Sequence, residues 1–170
     1  MDAAQLQRLG GVCAIAGGAL AIASRFMPQS IDVGLREALY FAVDVFFMFG
    51  VFAIYLHSGL RTGLLGFAGF VLAATGVGSI IGPDAKFGMI DQYLLGGTVF
   101  GIGMFVLAIA LLRERRQQIA AICWILTVLF GVAAYAPALS DGARFASGIA
   151  FGLGFVFAGR EILASLRTAG

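Results

Sequence analysis

Three prolines, Pro28, Pro83 and Pro137, recur along the chain at intervals of 55 and 54 residues. Each lies just past an apolar stretch long enough to cross a membrane. Other features keep the same phase. Gly50, Gly103 and Gly159 lie 22, 20 and 22 residues beyond their prolines, and each period closes on basic residues: Arg61, the run Arg113 to Arg116, and Arg167. A repeat of about 50 residues marks a stacked supersecondary unit. With two apolar stretches per period, the unit is a helical hairpin. The chain therefore reads as an all-α integral membrane protein of six transmembrane helices in three tandem hairpins, covering 8–61, 62–116 and 117–167 of a single membrane domain. A tandem of one unit also predicts equivalent packing of the hairpins about a pseudo-threefold axis.

Composition supports the same class. Of 170 residues, 61% are hydrophobic and 12% charged, against about a quarter charged in soluble domains. The mean hydropathy is +0.99. So much apolar surface calls for a bilayer as solvent. A net charge of +2, with the basic residues scattered at helix ends, points away from a nucleic-acid partner.

The expected spans are Leu9 to Phe26, Ala38 to Leu56, Gly63 to Gly82, Tyr93 to Leu112, Ile119 to Ala138, and Phe145 to Leu166. Each meets the length of about 17–25 residues that a bilayer core requires. They are helices because a continuous apolar run satisfies its backbone groups in lipid only as a helix. A proline ends each odd helix, since it lacks an N–H and restricts the residue before it. The loops are too short to fold as domains, so function belongs to the helices, their ends or a surface offered to a partner.

Orientation follows from the basic residues. With the N-terminus inside, Arg8, Arg61, Arg113, Arg115, Arg116, Arg160 and Arg167 are cytoplasmic, against Arg25, Arg36, Lys86 and Arg144 outside. This bias predicts an inner-membrane protein with both termini in the cytoplasm. The first span resembles a signal sequence, with small residues at Ala21 and Ala23. Its place in the first hairpin argues for retention.

Glycines are spaced for close helix contact. Gly97 with Gly101, Gly148 with Gly152, and Gly78 with Gly82 form GxxxG pairs, and Ala14 with Gly18 a similar small-residue pair. Such stripes let backbones approach. The expectation is packing between hairpins, with homo-oligomerisation or assembly into a larger membrane complex as the other use.

Ionisable residues inside hydrocarbon are the strongest functional pointers, because each costs at least about 2.5–3.5 kcal/mol unless paired or wetted. Asp44 is the clear case. It reads either as a structural partner of Arg25, near the outer end of the preceding helix, or as a protonatable site coupling a solute or proton to a conformational change. Arg160 and Glu161 interrupt the last span and read as a cytoplasmic interfacial pair, with Arg160 snorkelling to the headgroups.

Signatures of enzymes are missing from the sequence. The single histidine, His57, excludes bis-His haem and HExxH zinc sites and leaves no Ser/His pair for proteolysis. Cys13 and Cys123 read as small packing residues. No cofactor and no metal are expected, and membrane lipids are the expected surroundings.

The three hairpins, the proline ending each odd helix, the glycine about 20 residues later in LLGGTVFGIGMFVLAIALLRER, and the basic residue closing each even helix resemble the HdeD-like family of small bacterial inner-membrane proteins. The resemblance implies a six-span protein linked to acid or general stress protection, without a catalytic residue to carry over. The chain departs from that family in lacking aromatic-rich starts to its odd helices and in its longer outer loops. The functional expectation is a non-enzymatic accessory or packing component of the membrane, associated with envelope stress. The alternative is a small proton-coupled transporter or channel that uses Asp44.

Overall fold

A computed structural model describes residues 3–28, 30–81, 86–87 and 90–168. Among these, the chain forms α1 (Ala3–Ser24), α2 (Val33–Ser58), a 3-10 turn (Gly59–Thr62), α3 (Gly63–Ile80), α4 (Gln92–Arg113), α5 (Gln118–Ala133) and α6 (Ser140–Thr168). A two-residue antiparallel pair, β1 (Lys86–Phe87) with β2 (Ile90–Asp91), precedes α4. Among the described residues five helices are long and apolar enough to cross a membrane. The fold is that of a helical membrane protein.

The helix ends have local causes. The Asp32 carboxylate accepts the Leu35 N–H at 3.1 Å, so α2 starts at Val33, five residues before the expected span. Asp91 caps α4 in the same way through the Leu94 N–H at 3.2 Å. Both are the N-terminal capping geometry that satisfies an orphan amide. Gly63, with φ +59°, takes the left-handed conformation that joins the 3-10 turn to α3.

The fifth span differs from expectation. The helix α5 has 16 residues and stops at Ala133, about 24 Å long, rather than continuing to Ala138. Pro137 restricts Ala136, and the chain from Ala134 to Leu139 runs as successive turns, with Tyr135 N–H donating to Val132 and Leu139 N–H to Ala136. Pro28 likewise lies four residues past the end of α1. Pro83 and Gly82 lie outside the described residues.

The helices follow one another around a closed ring in chain order, with α6 returning against α1 and also touching α2. Within each hairpin the two helices pack directly on each other. The joints between hairpins are unequal: α6 against α1 is as intimate as a hairpin pair, whereas α2–α3 and α4–α5 touch more lightly. The expected threefold equivalence of the joints is thus broken at α1. The reason is the glycine content of α1, which serves two faces. Gly10 and Gly17 face Ala53 and Phe46 of α2, while Gly11 and Gly18 face Ile162 and Gly152 of α6. A Cβ at Gly18 would meet Val156 at 2.9 Å. Ala14 packs on Gly50 of α2, while Gly18 packs on Gly152 of α6.

Elsewhere α3 and α4 interlock through Gly69, Ala73 and Gly76 against Leu107, Gly103 and Phe100. Large apolar side chains such as Leu9, Phe49, Phe67, Ile102 and Leu129 are exposed on the outside of the bundle. This inverted surface is what lipid requires.

Candidate binding cavity

A cavity of about 600 Å³ opens at the end of the bundle where α1–α2, α3–α4 and α5–α6 are joined, and all six helices or the turns that follow them line it. Its walls follow a register repeated on the three even helices. The helices α2, α4 and α6 present Tyr40, Tyr93 and Arg144 at the rim, and one turn deeper Asp44, Gly97 and Gly148. Three residues further on come Phe47, Phe100 and Phe151 at the floor. Residues at spacings of four and three share a helix face, so each even helix turns the same stripe inward. The stripe is present in the sequence. Residue type conceals it, because its middle position holds Asp in one repeat and Gly in the other two.

The floor is a layer of aromatic rings. Phe47 lies 4.2 Å from Phe155 and 5.5 Å from Phe151 between ring centroids. Phe100 lies 5.2 Å from Phe151, and Trp124 of α5 lies 5.4 Å from Phe155. Edge-to-face and tilted contacts of this kind add to the burial of large side chains. The layer ties α2, α4, α5 and α6 together and closes the cavity toward the other end of the bundle.

Asp44 sits in the middle layer with 8% of its surface exposed. It is eleven residues into α2, about 16 Å along the helix. Among the described residues it has no hydrogen-bond or ion-pair partner, and its oxygens are not sealed from the cavity. The expected direct pair with Arg25 is not formed. Arg25 follows α1 and lays its guanidinium over Gly148 of α6: a Cβ at Gly148 would meet its NH2 nitrogen at 2.8 Å. The acid and the base thus border the same cavity without touching, because the absent side chain at Gly148 gives Arg25 a seat away from α2.

The glycine pairs divide in the same way. Gly97 and Gly101 do not pack helices within the chain: a Cβ at either would meet nothing within 4 Å, and both line the cavity. The glycines of α4 that do pack are Gly96 and Gly103, against α3. Gly152 packs on Gly18 as expected of a contact glycine, while Gly148 makes room for Arg25.

Of the mid-span hydroxyls, Ser24, Thr127 and Ser147 converge on the cavity. Each donates to a backbone carbonyl, Ser24 to Ala21, Thr127 to Cys123 and Ser147 to Thr127. Among the described residues Asp44 is the one acid that lines the cavity, and its companions of opposite sign are Arg25 and Arg144.

At the opposite end, Glu161 accepts the backbone N–H of Gln117 at 3.2 Å. That bond ties α6 to the α4–α5 turn, where Arg115 and Gln117 adopt left-handed conformations with φ of +53° and +43°. Among the described residues Glu161 forms no ion pair with Arg160, which points outward and is exposed. Neighbours in a helix diverge by about 100° and cannot face each other. Cys13 and Cys123 are free thiols, and no cluster of metal-ligating side chains occurs among the described residues.

Fold and cavity together define a polytopic helical membrane protein with a one-ended, charged internal pocket. The chain matches no family model, no curated protein and no solved structure.

Proposed function

We propose that this is a non-enzymatic solute-handling protein of the membrane, a compact carrier whose binding site is the cavity around Asp44. One observation carries the reading: a buried carboxyl without a partner among the described residues faces a space of about 600 Å³ to which every helix contributes. Sites for small molecules are typically about 300–1,000 Å³, mostly apolar, with a few convergent polar groups. An unpaired acid at this depth is costly, and a cavity that a polar solute can enter offsets that cost. The aromatic floor makes the site a dead end in this conformation, as alternating access requires of a carrier caught open to one side. With the orientation expected from the basic residues, the mouth faces outward across an inner membrane. The accessory and stress-related reading draws support from no particular residue of the fold.

The test is thermal stabilisation of the purified protein in nanodiscs by a library of small polar metabolites, comparing wild type with Gly97→Leu. Ligands should stabilise wild type and lose their effect on the filled variant. Hits can then be followed as flux into proteoliposomes. A library that stabilises neither protein, or both equally, overturns the reading.

A further inference from the structure

We infer that the solute is zwitterionic, carrying an ammonium group that Asp44 engages and an oxyanion, carboxylate or phosphate, that Arg25 and Arg144 engage. The inference rests on the cavity being a solute site and names the chemistry of its ligand.

The middle layer holds charges of both signs that do not neutralise each other. Asp44 projects from α2, and the Arg25 guanidinium lies over Gly148, the residue of α6 that occupies the same place in the inward stripe. Between them the third stripe position is Gly97, where a Cβ would meet nothing within 4 Å. The layer is therefore a negative group, a positive group and a gap. Asp44 is more than nine-tenths buried and has no partner among the described residues.

A ligand with only an ammonium would satisfy Asp44 and leave two arginines beside a cation. A ligand with only an oxyanion would satisfy the arginines and sit against the carboxylate. Like charges brought together in a poorly hydrated site are unfavourable, and each charged hydrogen bond there is strong. A zwitterion satisfies both sides at once. Arg144, one turn above Gly148 on α6, adds a second guanidinium toward the mouth. This places the ammonium innermost and the oxyanion toward the entrance. Phe47 and Phe151 beneath supply aromatic faces, which also favour a cation. The same chemistry exists in two sources: a free amino acid or phosphorylated amine, and the headgroup of an aminophospholipid.

The experiment uses the full chain in nanodiscs of phosphatidylglycerol, a lipid without an ammonium group. Binding is measured for L-leucine and for its two single-charge analogues, isopentylamine and 4-methylpentanoate, and likewise for O-phosphoethanolamine against ethanolamine. A parallel arm incorporates phosphatidylethanolamine and reads retained lipid by native mass spectrometry. At least one zwitterion should bind saturably and at least about tenfold tighter than its single-charge analogues, the factor that one charged hydrogen bond supplies. Asp44→Asn should abolish that preference and strengthen binding of the acid, which no longer meets a carboxylate, while Arg144→Gln should weaken zwitterion and acid together. Retention of phosphatidylethanolamine by wild type and not by Gly97→Leu would assign the same chemistry to a lipid headgroup. An amine or an acid that binds as tightly as the zwitterion overturns the inference and leaves the cavity standing as a solute site. So does binding by none of the probes in either arm while the metabolite library still yields ligands. The wild-type panel decides these outcomes even where Asp44→Asn fails to fold.

Discussion

Gly97 and Gly103 lie on one helix six residues apart, and replacing each by leucine should have opposite consequences. At Gly97 a Cβ meets nothing within 4 Å. Leucine adds four carbons, and at about 30 Å³ each, the share of a water molecule, they occupy about 120 Å³. That is roughly a fifth of the 600 Å³ cavity, placed beside Asp44. Removing a helical glycine should gain up to about 1 kcal/mol, and partial burial of the new side chain adds to it. Stability should hold or rise. At Gly103 the new Cβ would meet the Cα of Ala73 at 2.6 Å and the Leu72 carbonyl carbon at 2.7 Å, both backbone atoms of α3. The α3–α4 pair must then separate, at a cost of about 1–3 kcal/mol or more. For a chain of this length that lowers the midpoint by about 2–12 °C. Thermal unfolding of the two variants in one detergent reads the difference directly. If Gly97→Leu falls as far as Gly103→Leu, Gly97 is a packing residue after all and the cavity wall is misplaced.

Asp44→Asn should keep wild-type folded yield, because the carboxyl has no partner among the described residues to lose. If Asp44 were instead an architectural partner of Arg25, yield would drop and Arg25→Gln would restore it in the double variant. Gly18→Leu should reduce folded yield sharply, since its Cβ would meet Val156 at 2.9 Å where α6 closes the ring on α1; a yield equal to wild type would contradict that closure. The Nε1 of Trp124 is buried without a hydrogen-bond partner among the described residues, so Trp124→Phe should cost less than the roughly 3–5 kcal/mol of a Trp→Ala truncation measured beside it. In a cysteine-free background, an impermeant thiol reagent added outside should label a cysteine at Gly142 and not one at Arg115, both exposed positions at opposite ends of the bundle; the reverse pattern would invert the orientation.

The sequence alone determined the helical membrane class, the number of helices and most of their limits to within two residues, because apolar run length and proline positions are local properties; the capped start of α2 at Val33 was read only in the structure. It also singled out Asp44, since a charge within an apolar run is conspicuous whatever surrounds it. What it could not decide was what each residue faces. Gly96 and Gly97 are adjacent and chemically identical, yet one packs on Ser79 and Ile80 and the other borders open space. The difference is a rotation of about 100° about a helix axis, and the neighbouring helix alone fixes which way that rotation points. Arg25 reads as a partner of Asp44 from proximity along the chain. In the fold it crosses to Gly148, more than a hundred residues away, because that glycine leaves space for a guanidinium. Small-residue stripes encode an absence of side chains, which serves equally to bring two backbones together or to hold a cavity open, and only the tertiary arrangement of the ring distinguishes the two.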